Sequence, residues 1–333
     1  MPPRRRPGTS FPTGVRVVIQ EHGSSEVLAL QLWVKAGVRD EAESELRLAH
    51  YLEHLLFKGT GSRPRGFIER DVEGVGGLYG SHPLALPTLG RKAGVERLGR
   101  EDLIRHHRRV YRAGSMVLAV SGGVERESLR RHVQGLFART REGDFDDPPP
   151  RSQRHPRSGA CSIGRLSKTR SLMGFLGPGI GDPDYAPGKI MSAVLGGSVA
   201  GRLFIELREE QGLAYSLRMV NPARRNPASF VAYIATSEHA VERAESGLRQ
   251  KIERFRADGP SEAEVARAKA YALGNLAMDR RTNARHPWYL AFFELAGFGW
   301  DYPERYARAL EAVRVPDVTR VARRYLANPA RSW

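Results

Sequence analysis

Leu48-Ala49-His50-Tyr51-Leu52-Glu53-His54-Leu55-Leu56-Phe57-Lys58-Gly59-Thr60 is the stretch on which both fold and chemistry turn. Residues 45–57 read as one helix, closed by Lys58-Gly59, a basic last turn followed by a glycine. Positions four apart share a helix face. His50 and His54 are therefore placed to grip one metal ion, with Glu53 beside them to take a proton from a metal-bound water. The order H-x-x-E-H is the inverted form of the zinc-protease helix motif. The plainer reading makes the two histidines polar rim residues and Glu53 a solvated charge.

On the N-terminal side, residues 15–20 and 28–34 are β-rich and read as an antiparallel hairpin joined by residues 21–26. On the C-terminal side, a short helix near 66–73 ends in Gly74-Val75-Gly76-Gly77, and residues 78–90 have loop character. Helices are expected at 101–111 and 125–137, with a strand at 116–121. Residues 144–159, including Pro148-Pro149-Pro150, read as a linker. Beyond it come strands at 171–176 and 230–236. Helices are expected at 187–195, 202–211, 241–257, 261–279 and 316–325. The helix at 261–279 opens on a capping box, Ser261 with Glu264. The expected fold is α+β in two halves: residues 1–147, a linker at 148–160, and residues 161–333. Each half is an antiparallel-rich sheet with helices packed on one face.

The 333 residues are enough for two domains, and 41% hydrophobic content is enough for a core without disulfides. Cys161 is the one cysteine, so no internal bridge forms, and a reducing compartment is expected. The formal charge of +16 raises nucleic-acid binding as a rival class. Its carriers are nearly all arginines spread along the chain, and the Arg105-His106-His107-Arg108-Arg109 run reads as a solvated helix stripe. No finger spacing or stacking-aromatic signature accompanies them. No segment is apolar enough to span a bilayer, and no apolar stretch follows Arg4-Arg5-Arg6, so cytoplasm is the expected location.

The motif helix has Lys35-Ala36-Gly37-Val38-Arg39-Asp40-Glu41 before it and Glu73-Gly74-Val75-Gly76-Gly77 after it. Together they closely resemble the active-site block of the M16 family of zinc metallopeptidases, which includes insulinase, pitrilysin and the mitochondrial processing peptidase. Arg47 stands where that family usually has glycine. Residues 201–216, Gly-Arg-Leu-Phe-Ile-Glu-Leu-Arg-Glu-Glu-Gln-Gly-Leu-Ala-Tyr-Ser, are similar to its C-terminal signature. The resemblance implies a zinc-dependent endopeptidase acting on peptides or unfolded polypeptides inside a clamshell chamber. His50 and His54 would hold Zn²⁺, Glu53 would be the general base, and Arg208 and Tyr215 would hold the peptide and the developing oxyanion. Because the family works as facing halves, a homodimer or a heterodimer with another M16-like chain is expected.

The resemblance has one break. In the family, Gly-Gly leads into an edge strand, and a later helix supplies a glutamate as third zinc ligand, about 70–80 residues after the second histidine. Here Gly76-Gly77 runs directly into Leu78-Tyr79-Gly80-Ser81-His82, so a stretch of roughly 60 residues, with that ligand and with the strand on whose edge the substrate peptide is expected to pair, is missing and the N-terminal domain is short. Glu73, Glu96 and Glu101 are the nearest carboxylates in sequence, and His82, His106 and His107 are further candidate donors. Three accounts fit this break: one of those side chains replaces the lost ligand, the chain is a peptide-binding subunit without catalysis paired with a complete peptidase, or it is a truncated relic of such an enzyme.

Overall fold

A computed structural model describes residues 9–10, 14–21, 27–37, 41, 48–50, 52, 96–143, 161–167, 170–225 and 228–327. The chain divides into two compact units. Residues 1–63, 87–151 and 277–305 form the first; residues 64–86, 152–276 and 306–333 form the second.

The first unit holds a four-stranded sheet built from β1 (Thr9–Ser10), β2 (Arg16–Glu21), β3 (Ala29–Val34) and β4 (Met116–Gly122), in the order β1-β2-β4-β3. The expected hairpin of residues 15–20 with 28–34 does not form. β4 lies between them, parallel to β2 and antiparallel to β3. Burial explains the order. Every residue of β4 is buried, so it takes the central slot, while β3 alternates in exposure and goes to the edge.

Both faces of this sheet are covered. Val17, Ile19, Leu118 and Val120 pack with Val133, Leu129 and Phe137 of the helix α2 (Arg126–Phe137). The helix α1 (Arg100–Val110) precedes β4. On the other face Val18, Val117 and Ala119 meet Leu290 and Ala291. Those two residues belong to a helix at Arg285–Leu295 that comes from far along the chain. Trp33 sets its ring edge-on to Trp288 and Phe292, at 5.7 and 5.8 Å. Burying each such side chain is worth roughly 1.5–3 kcal/mol, which accounts for a late segment returning to an early sheet.

The second unit holds an antiparallel sheet of β5 (Cys161–Ser167), β6 (Arg170–Gly177), β7 (Ser216–Val220) and β8 (Ala228–Ala235), in the order β5-β6-β8-β7. One face carries the larger core. Phe175, Met219, Phe230 and Ile234 pack with Ile190 and Met191 of α3 (Tyr185–Ser192) and with Leu248, Ile252 and Phe255 of α4 (Val241–Asp258). α5 (Glu262–Asp279) adds Val265 and Ala268. The Arg285–Leu295 helix is α6, α7 is Tyr302–Ala312, and α8 (Val315–Tyr325) adds Val318 and Val321 to this core. The buried carboxylate of Asp184, just ahead of α3, accepts from Arg320 at 2.5 Å, Arg324 at 2.9 Å and the Tyr325 hydroxyl at 3.2 Å. It pins α8 against α3 through charge-assisted bonds.

The sequence expectations for α1, α2, α4, α5 and α8 agree with these spans to within a residue or two at each end. The helices expected at 187–195 and 202–211 are α3 followed by two π-helical turns, Ala193–Gly197 and Phe204–Glu209. The strands β5 and β7 and the helices α6 and α7 had no counterpart in the sequence reading. The short helix at 66–73, the loop at 78–90 and the linker at 144–159 lie outside the described residues.

Candidate functional site

Two places bear on function: the H-x-x-E-H segment and a groove in the second unit. Leu48, Ala49, His50 and Leu52 are helical. Leu48 and Leu52, four apart, are both buried. His50, two residues from each, therefore lies off that buried face and is partly exposed. Glu41 buries its carboxylate and accepts the Ala49 N–H at 2.5 Å, an anion placed at the start of this turn. Glu41 is a positioning residue with no signal in the sequence, because seven intervening residues hide the contact. Glu53 and His54 lie outside the described residues, as do Glu73 and His82.

Among the described residues, no three histidine, cysteine, aspartate or glutamate side chains stand close enough to hold a metal ion. The described candidates for a third donor are engaged elsewhere or solvated. Glu101 is exposed beside Arg100 at 3.3 Å. His106 is buried and its Nδ1 lies 3.1 Å from Arg109. His107 stacks on Tyr111 at 4.5 Å, and burial, with the nearby charge of Arg141, holds its pKa below the usual imidazole value. Glu96 sits in an exposed turn ahead of α1. Two histidines make up two of the three protein ligands that a catalytic zinc usually takes, and of the pair in the motif His50 alone is described.

The groove is built from the second signature block. The π-helical turn Phe204–Glu209 ends where Gly212 takes a φ of +61°, a value that glycine adopts without steric cost. There the Gly212 N–H donates to Arg208 O at 3.1 Å and the Leu213 N–H to Leu207 O at 2.8 Å. The chain reverses, buries Leu213 and Ala214, and enters β7 as the Tyr215 N–H donates to Ala235 O at 3.0 Å. Arg208 and Tyr215, the two residues singled out in the sequence, thereby line one groove of about 660 Å³ along β7. Arg208 lies over the Phe204 ring at 4.6 Å, with Glu209 at 3.7 Å, and keeps 42% of its side chain exposed. Tyr215 is 58% exposed. Both are available to a ligand.

Residues 196–200 and one side of α5 complete the walls. Tyr271 donates to Gly197 O at 2.7 Å and pins the loop to α5. A Cβ on Gly201 would sit 2.9 Å from both Gly196 Cα and Leu195 O, so the loop closes on itself only with glycine there. Arg202 donates to Glu264 Oε2 at 2.7 Å and to Gly259 O at 3.0 Å, and its Nε also contacts Glu264. The Arg202 guanidinium, helped by the Ser261 N–H and hydroxyl, holds the Glu264 carboxyl down to about 2 against an opposing burial effect. A carboxylate with a depressed folded pKa adds stability that is complete above its ordinary value of 4.5 and is lost as pH falls through about 2. Urea unfolding should therefore show Arg202→Gln clearly less stable than wild type at neutral pH, with the gap shrinking between about pH 4.5 and 2. A gap independent of pH would remove Glu264 from that role.

Comparison with known proteins places these observations. A family model described as Peptidase M16 inactive domain matches residues 97–271, and one described as Insulinase (Peptidase family M16) matches residues 16–82. A Mycobacterium bovis protein named uncharacterized zinc protease is 25% identical over 406 residues, covering 98% of this chain and 91% of that protein. That alignment has more positions than the 333 residues of this chain can fill, so the relative carries residues that are missing here. A protease from Helicobacter pylori shares the fold at 15% identity and TM-score 0.82, covering 97% of this chain and 96% of that one. A chain of complex III2 from Candida albicans does so at 17% identity and TM-score 0.79, covering 96% and 92%. With one family model spanning more than half its length and a second spanning the H-x-x-E-H block, the chain belongs to peptidase family M16.

Proposed function

We propose that the chain binds extended or unfolded polypeptide in the groove along β7 and hydrolyses it with zinc held by His50 and His54. The observation that carries the binding half is that Arg208 and Tyr215, both exposed, line one groove along a terminal strand of the sheet. Among the described residues no strand pairs with the outer edge of β7. Such an edge offers a row of backbone donors and acceptors that an extended peptide can complete. Arg208 would hold peptide carbonyls or carboxylates through its planar fork, and the Tyr215 hydroxyl would donate to oxygen that gains charge during acyl transfer.

The hydrolytic half is supported by the H-x-x-E-H order and by relatives named zinc proteases. Zinc, when bound, would polarise the scissile carbonyl and lower the pKa of its water to about 7. Glu53 would take the proton from that water and return it to the leaving amine. His50 and His54 are the ligands that this chain's own motif provides. Incubating the chain with a fluorogenic unfolded polypeptide, with and without a chelator, tests this half. Hydrolysis should stop with chelator and return with added zinc. Turnover that persists in chelator would contradict it.

A second reading is favoured by the residues missing relative to the mycobacterial protein. In it, the chain keeps the peptide groove and pairs with another M16-like chain that holds a complete zinc site. Zinc far below one per chain, with peptide binding retained, would select this reading.

A further inference from the structure

The charge lining the β7 groove is one-sided. Arg208, Arg218 and Arg267 all line it and all are exposed. Among the described lining residues the only carboxylate is Glu264, and Arg202 already grips it. Neither Arg218 nor Arg267 has an ion-pair partner among the described residues, and Arg208 has only its neighbour Glu209 at 3.7 Å. These arginines come from three different elements: the 204–209 turn, β7 and α5. Concave walls of one sign focus potential and raise the local concentration of the opposite charge.

The same groove exposes apolar surface on Val199, Val220 and Tyr271. A peptide laid along a strand sends successive side chains to opposite sides, so one set can meet arginines while the other meets apolar surface. A basic segment would place like charge against three guanidiniums.

We propose that the groove selects extended segments in which acidic residues alternate with small or apolar ones, with Arg218 and Arg267 determining that specificity. The inference rests on the peptide-binding half of the proposed function and adds the class of peptide. Fluorescence anisotropy on the full chain tests it. The probes are short labelled peptides of alternating threonine and glutamate, with glutamine and lysine counterparts. The glutamate peptide should bind about tenfold tighter than the glutamine one, as expected for two or three exposed ion pairs. The lysine peptide should bind weakest, and added salt should compress the series. Arg218→Ala with Arg267→Ala should bring the glutamate-to-glutamine ratio near one, and lysine at both positions should keep the preference.

Equal affinity for the glutamate and glutamine peptides would overturn charge selection while leaving peptide binding in place. Failure of all three peptides to bind would overturn the binding reading itself. A glutamate peptide interrupted by prolines cannot donate to a strand edge. If it binds as tightly as the uninterrupted one, the arginines are a general polyanion patch and the proposal fails.

Discussion

Glu53→Gln is expected to lower peptide turnover by about 10²- to 10⁴-fold, the usual contribution of a positioned general base. Glutamine keeps the size and the helix propensity of glutamate but cannot take a proton at neutral pH. Under the proposed function His50 and His54, not Glu53, hold the zinc, so bound zinc should be unchanged in this variant. Turnover of a quenched-fluorescence peptide and elemental analysis of the same sample read both quantities. Turnover near wild type would remove Glu53 from the role of base. Loss of zinc together with activity would make Glu53 a ligand, or a support for one.

Arg208→Ala combined with Tyr215→Ala should weaken peptide binding by roughly 10²- to 10³-fold, since buried Arg and Tyr contacts at interfaces often cost 2 kcal/mol or more each. The two side chains line one groove, so their effects need not add. Stability should barely move, because both side chains are exposed to solvent in part and neither belongs to the core around Phe230 and Ile190. That pairing of outcomes separates a contact role from a structural one. Arg208→Lys restores charge but not the planar fork and should recover only part of the affinity. Unchanged affinity in the double variant would place the peptide elsewhere.

What the sequence made legible follows from how local each signal is. α2 opens with the Glu125 carboxylate accepting the N–H groups of Glu127 and Ser128, and α5 opens on Ser261 with Glu264. Both caps lie within four residues, so both could be read in advance. The pairing of β2 and β3 with β4 could not. It depends on which strand is buried on all sides, and residues 116–122 are some 80 positions further along. α6 escaped notice because Trp288, Tyr289, Leu290, Ala291, Phe292 and Phe293 are apolar without a stripe, leaving no 3.6-residue period to detect. β7 has only five residues with Arg218 in the middle, too short for alternation to stand out.

The site divides along the same line. Arg208 and Tyr215 were reachable because they sit in one contiguous block that resembles a family signature. Their joint exposure on one groove, and the arrival of Arg267 from α5 and Arg218 from β7 at the same wall, are products of tertiary packing. Glu41, whose carboxylate meets the Ala49 N–H across seven residues, is likewise visible only in three dimensions.

Hydrogen exchange on the full chain, with and without a saturating extended peptide, tests peptide capture along β7 most directly. In the free protein, β7 amides that do not donate to β8 should exchange quickly, since an edge strand pairs on one side only. With peptide bound, exchange across Ser216–Val220 should slow markedly, while β5 at the far side of the sheet changes little. Bound peptide with unchanged exchange in β7 would contradict capture at this edge.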